Sequence, residues 1–218
     1  MSDFSQARQN MVDCQVRTAD VTDLRIIEAM LKVPRELFVP SGQRAMAYLD
    51  IDIAAGTPGR FLIKPFVLAK MLQAADITAT SRVLVVGCVS GYSAAIAASL
   101  AGSVLATESD PTLARLATET LASLKLSNVA VSAAPNSEGS VGNAPYDAII
   151  LDGATEVVPE NLYRLLAVGG RLVGVFAITR PARATIVTRT VGDFTSRPLF
   201  DASAPVLPGL ERIPAFSF

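Results

Sequence analysis

Short apolar runs alternate with helical stretches from residue 83 onward, and this pattern leaves few folds open. Residues 83–87 (VLVVG), 104–107, 129–132, 147–152 (DAIILD) and 171–177 (RLVGVFA) read as strands. A strand that is apolar on successive residues is buried on both faces. Such strands alternating with helices make a parallel sheet covered on both sides. The intervening helices are legible too. One is expected over 92–101. Asp110 with Pro111 is an N-cap followed by proline at the first helical position, and Leu113, Leu116, Ala117, Leu121 and Leu124 stripe the helix that follows. Pro159 begins another helix, which Gly169 and Gly170 are expected to end. Residues 183–189 and 197–200 read as further strands, an antiparallel edge. The fold class is therefore α/β, a doubly wound, mostly parallel sheet.

The first 40 residues read as helical. Leu24, Ile27 and Leu31 recur at helical spacing, with Ile26 and Met30 widening the stripe. Asp20 or Thr22 is expected to cap this helix, and Pro34 to limit it. Residues 41–65 are irregular and rich in glycine and proline, and loops of that length inside a domain are usually functional. A helix follows over 66–75, and the proline-rich stretch 198–214 reads as a surface tail.

Composition excludes several classes. The net charge is −1, with 19 basic and 20 acidic residues, so neither a nucleic-acid footprint nor a polybasic membrane surface is expected. Histidine is absent, which removes Ser-His-Asp and Cys-His catalysis and every His-ligated metal site. Cys14 and Cys88 are far apart, so neither a disulfide framework nor a thiolate metal cluster is expected. No signal peptide is recognisable, and no apolar run nears the roughly 20 residues that span a bilayer. A cytoplasmic protein without metal is the expectation.

Four stretches carry chemistry. Residues 87–92 (GCVSGY) close the first apolar strand and open a helix. Glycines let a ligand approach the backbone. The alternative is an ordinary strand-to-helix turn. The stretch is not GxGxxG and lacks GK[ST], which disfavours a nicotinamide oxidoreductase and a nucleotide triphosphatase. Glu108 ends the second strand, about 20 residues later, where a carboxylate accepts ribose hydroxyls; the alternative is a solvated charge. Asp152 ends the fourth strand, as a ligand contact or a loop carboxylate. Residues 59–65 (GRFLIKP) hold two cations, Arg60 and Lys64, in either a substrate loop or a linker packing Phe61 and Leu62.

Taken with MVDCQVR (11–17), AMLKVPRELFVP (29–40), AYLDIDI (47–53), APYDAIILDGA (144–154) and LLAVGGRLV (165–173), these stretches resemble the protein-L-isoaspartate O-methyltransferases. The combination of VPRELFVP with AYLD is more specific than the glycine turn. The resemblance implies a seven-stranded S-adenosylmethionine-dependent methyltransferase fold with an N-terminal helical extension. It implies one domain over 1–218, with helices and a substrate-side loop over 1–65 and a Rossmann-like core over 66–218. The implied reaction moves a methyl group from S-adenosylmethionine to the carboxylate of isoaspartyl residues in damaged proteins. The implied cofactor residues are Gly87, Cys88, Ser90, Gly91, Tyr92, Glu108, Ser109 and Asn136. Isoaspartyl-containing proteins or peptides are the implied partners, and a monomer is compatible with the sequence.

The chain departs from the family pattern at defined positions. Val85 stands where the family has an acid, and Val89 where it has the middle glycine. Ala134, Pro135 and Asn136 replace Gly-Asp-Gly beside the adenine. Residues 61–65 replace Thr-Ile-Ser-Gln-Pro, so Ile63 takes the place of the serine that meets the reacting carboxylate, and Lys64 becomes the candidate contact. The alternative carried by these departures is a catalytically inactive binding or scaffold protein on the same fold.

Overall fold

The computed structural model describes residues 4–213. A seven-stranded sheet runs through it, built from β3 (Arg82–Val86), β4 (Ser103–Glu108), β5 (Val129–Ala133), β6 (Tyr146–Thr155), β7 (Leu166–Phe176), β8 (Arg183–Arg189) and β9 (Phe194–Asp201). The order is β5-β4-β3-β6-β7-β8-β9. β3 pairs in parallel with β4 and β6, β4 with β5, and β6 with β7. β8 and β9 are antiparallel, as the sequence led one to expect. The chain winds outward from β3 to β5 and then returns to the other side of β3. The carboxyl ends of β3 and β4 thus open onto a topological switch point, where ligands bind in sheets of this kind.

The doubly apolar strands explain the layering. Val83, Val85, Ile150 and Val173 pack into one buried cluster, while Leu84, Val86, Ile149, Leu151 and Leu172 pack into a second. Successive side chains of a strand point to opposite faces, so both faces of the central strands are dry. Each fully buried aliphatic side chain contributes roughly 1.5–3 kcal/mol relative to exposure.

Helices α3 (Pro65–Ala75), α4 (Tyr92–Ala98), α5 (Pro111–Ser123) and α6 (Glu160–Arg164) belong to this core. The N-terminal extension holds α1 (Phe4–Met11), a π-helical turn over Val12–Val16, and α2 (Leu24–Lys32). A two-residue ribbon, β1 (Ile53–Ala54) against β2 (Phe61–Leu62), interrupts the region expected to be irregular.

Several expectations need correction. α2 is capped by Asp23, whose side chain accepts from the Arg25 amide, and not by Asp20 or Thr22. Asp20 is left-handed at the end of the preceding turn, and the Thr22 amide is taken by Gln73 Oε1. Leu24 lies 64% exposed, and Ile26, Ile27 and Met30 face the core instead. Gly169 and Gly170 do not end a helix. They lie inside β7, where pairing with β6 jumps from Tyr146–Leu166 to Ala148–Arg171. A Cβ on Gly170 would stand 2.8 Å from the Tyr146 carbonyl oxygen, so the bulge requires glycine. Residues 203–210 are not a surface tail. Beyond β9 they run beside the end of β6: the Ala154 amide donates to Pro205 O (2.8 Å), and the Leu207 and Glu156 amides donate to Ala154 O and Leu210 O. Leu207 and Leu210 are buried.

Candidate functional site

The glycine turn forms as its sequence requires, with one exception to ordinary stereochemistry. Gly87 follows β3 with φ of +76°, and Gly91 precedes α4 with φ of +98°. Between them Val89 also adopts a left-handed φ of +55°. A β-branched residue is rare there and costs of order 1–3 kcal/mol. The turn therefore keeps the backbone that a glycine takes freely. Burial of the Val89 side chain and a 2.7 Å bond from its amide to Glu108 Oε2 hold it there.

The extension reaches this turn through the VPRELFVP stretch. The Phe38 carbonyl accepts from Ser90 Oγ at 2.5 Å, and the Phe38 ring meets the Tyr92 ring edge-on at 5.5 Å. Arg35 is 1% exposed. It donates to the carbonyls of Ala47 and Ile63, both at 2.8 Å, and its guanidinium stacks over Tyr92, 4.6 Å from the ring centroid. Further out, Arg8 donates to Tyr48 Oη, Leu31 O and Glu36, and Tyr48 Oη donates to Glu36. Gln15 donates to the Tyr48 carbonyl. These contacts tie MVDCQVR, VPRELFVP and AYLD into one unit covering the turn.

Glu108 is wholly buried at the end of β4. Its Oε1 accepts from Arg60 Nε (3.1 Å), the Asp110 amide (3.0 Å) and Ser109 Oγ (3.3 Å). Its Oε2 accepts from Arg60 Nη2 and the Val89 amide. Arg60, 2% exposed, thus forms a two-pronged ion pair that leaves the carboxylate no free face. Leu207 fills the adjoining space. A Cβ on Gly87 would lie 2.5 Å from Leu207 Cδ2 and 3.2 Å from Arg60 Nη2, and one on Gly153 would lie 2.8 Å from Leu207.

Asp152 ends the apolar part of β6 and accepts from Ser93 Oγ at 2.5 Å. Burial pushes its carboxyl up to about 6, with the Ser93 hydroxyl and then Arg60 and Arg35 opposing the shift. Two buried guanidiniums, Arg35 and Arg60, thus face two buried carboxylates, Asp152 and Glu108. Because the folded carboxyl titrates above its unfolded value, Asp152 favours the folded state at low pH. That contribution is full below about pH 4 and is lost as pH rises through about 6. Asp152→Asn is expected to flatten this decline, which urea midpoints of both proteins between pH 4 and 7 will read.

Outside the turn lies a cavity of about 460 Å³ lined by Ser109, Pro111, Ala134, Pro135, Asn136 and Pro208. Asn136 is 1% exposed. Its amide nitrogen donates to Ser109 Oγ and Pro208 O, while its Oδ1 has no partner among the described residues. Ile63 is buried, and Lys64 is half-buried with Nζ 3.3 Å from Ser203 Oγ and 3.7 Å from Asp52. Cys88 is buried, and burial raises its thiol well above the ordinary value. A hollow of about 470 Å³ across β8 and β9, with Arg171 and Arg197, contains neither the glycine turn nor a carboxylate.

The structure brings Gly87, Cys88, Ser90, Gly91, Tyr92, Glu108 and Ser109 together and sets Asn136 beside them. It adds Arg60, Leu207, Arg35 and Ser93, which the motifs did not assign. Arg60 was one of two cations in a suspect loop, and nothing in that loop's spacing separates the inward cation from the outward one.

The model of the protein-L-isoaspartate(D-aspartate) O-methyltransferase family matches residues 6–189. The chain belongs to this family. It is 43% identical over 170 residues to the protein-L-isoaspartate O-methyltransferase of a Synechococcus strain, covering 78% of this chain and 69% of that protein. It is 38% identical over 191 residues to the Gloeobacter violaceus protein of that name, covering 87% of this chain and 93% of the relative. The fold matches a solved protein-L-isoaspartate O-methyltransferase at a TM-score of 0.80 with 21% identity, over 94% of this chain and 67% of that one. It also matches a Plasmodium falciparum structure described as a putative member in complex with S-adenosyl-L-homocysteine. That match has a TM-score of 0.78 and 19% identity, over 95% of this chain and 99% of that one. The family is one of S-adenosylmethionine-dependent carboxyl O-methyltransferases acting on isoaspartyl-containing proteins. The inactive-scaffold alternative gains no support from these relatives. No helix among the described residues is long and apolar enough to cross a membrane, and no cluster of metal-ligating side chains occurs among them.

Proposed function

We infer that this protein is a carboxyl methyltransferase for isoaspartyl residues of damaged proteins and peptides, acting in the cytoplasm. The observation that carries the reading is the buried Glu108 facing the 87–92 turn at the switch point of the sheet. The roles of Gly87, Cys88, Ser90, Gly91, Tyr92, Ser109 and Asn136 as cofactor contacts belong to this proposal, as does the division into a covering part over 1–65 and a core over 66–218. A carboxylate acceptor is ionised near neutral pH and needs no protein base, in keeping with a chain without histidine. The reaction class rests on positioning and electrostatics.

The side chains as arranged do not fit S-adenosylmethionine. Its ribose would need the Glu108 oxygens that Arg60 holds, and its methionine end would need the space over Gly87 that Leu207 fills. The cavity beside Asn136 remains open to a planar base.

The direct test is transfer of a radiolabelled methyl group from S-adenosylmethionine to an isoaspartyl peptide and to its aspartyl isomer. Base-labile label in the isoaspartyl peptide alone is expected. No label in either, with both the wild type and Arg60→Gln folded, overturns the reading. Lys64 supplies the cation for the acceptor carboxylate. Lys64→Ala is therefore expected to raise KM for the isoaspartyl peptide about tenfold, equivalent to about 1.4 kcal/mol, with little change in folding stability. Steady-state kinetics and a urea melt read the two.

A further inference from the structure

We propose that the cofactor site is occupied by the chain itself, Arg60 standing in the ribose place on Glu108 and Leu207 in the place over Gly87. The proposal rests on the methyltransferase reading and adds a resting state to it.

Three independent observations support it. First, Glu108 has no acceptor capacity left over. Arg60 donates twice, two backbone amides and the Ser109 hydroxyl add the rest, and the pair is buried. A ribose diol has to displace the guanidinium before it finds an acceptor. Second, the plug comes from two segments far apart in sequence that meet over Gly87. Arg60 enters from the 55–60 turn between β1 and β2, anchored by the Ala55 amide on the Arg60 carbonyl at 2.9 Å. Leu207 enters from the segment beyond β9, held on β6 by the Ala154–Pro205 and Leu207–Ala154 bonds and by Asn136 on the Pro208 carbonyl at 3.0 Å. Third, the closure stops where the plug ends. The hollow beside Pro135 stays open, and Asn136, whose buried Oδ1 has no partner among the described residues, is one of its lining residues. The base portion of a nucleoside ligand keeps its place while the sugar and amino-acid portions are excluded.

Uptake of the cofactor therefore requires Arg60 to leave Glu108 and Leu207 to lift from Gly87. The apparent affinity is the intrinsic affinity multiplied by the fraction of molecules in the open form, so a mostly closed population lowers it. Removing the guanidinium removes the part of that reduction due to Arg60 and leaves the part due to Leu207.

The test is calorimetric titration of S-adenosylhomocysteine into the full chain as wild type, Arg60→Lys and Arg60→Gln. Lysine retains a charge on Glu108 but cannot make the two-pronged contact, so it keeps the fold if glutamine does not. Affinity is expected to rise in the order wild type, Arg60→Lys, Arg60→Gln, by at least about tenfold across the series or across its folded members. Equal micromolar binding by all folded members overturns the self-occupation and leaves the methyltransferase reading intact. Failure of every folded member to bind at millimolar ligand overturns both.

Discussion

Glu108→Gln is expected to cost about 3–5 kcal/mol of stability, because it takes from the Arg60 guanidinium the carboxylate it is paired with in a dry interior and leaves it only the more distant influence of Asp152. Glutamine keeps one acceptor oxygen in place of two, so either the Val89 amide on Oε2 or the Asp110 amide on Oε1 also loses its partner. A double variant, Arg60→Met with Glu108→Leu, removes both charges and is expected to lose less than the single one, as buried ion pairs replaced by apolar groups commonly do. Urea denaturation of the three proteins reads the difference. A double variant that is the least stable of the three would mean that the pair itself is the stabilising element.

Arg35→Ala is expected to cost a similar amount, about 3–5 kcal/mol, for a different reason. The Ala47 and Ile63 carbonyls lose their donor inside the protein, the Tyr92 ring loses its stacked cation, and a large buried side chain leaves a void. Because Ile63 precedes the lysine proposed to meet the acceptor, the variant is also expected to loosen residues 47–64 before the sheet melts. Limited proteolysis under native conditions should cut first in that stretch. Cleavage no faster than in the wild type would separate Arg35 from the positioning of the loop.

The sheet was legible because strands buried on both faces have little choice of composition. VLVV and AIIL can pair only in the interior, and the Asp110-Pro111 start of α5 specifies its own cap. The signature VPRELFVP was legible as a resemblance, and the structure supplies its physics: Arg35 and Phe38 brace Tyr92 and Ser90 of the turn. Other features escaped because they depend on distant partners. Asp23 caps α2 since Gln73, some 50 residues on, claims the amides of Thr22 and Asp23. The glycines at 169 and 170 resemble a helix stop and serve a bulge. Prolines around Leu207 read as a tail because composition does not register that the end of β6 still has backbone groups to pair. Arg60 and Glu108 lie 48 residues apart, and no local rule pairs them.

The central claim is that the crevice between Glu108 and Gly87 takes the cofactor only when the chain's own plug withdraws. Amide hydrogen exchange of Arg60→Gln, with and without saturating S-adenosylhomocysteine, tests it most directly. Added ligand should slow exchange across the 87–93 turn and accelerate it over 203–210, as Leu207 leaves Gly87. Unchanged exchange at the turn, or slower exchange over 203–210, would contradict it.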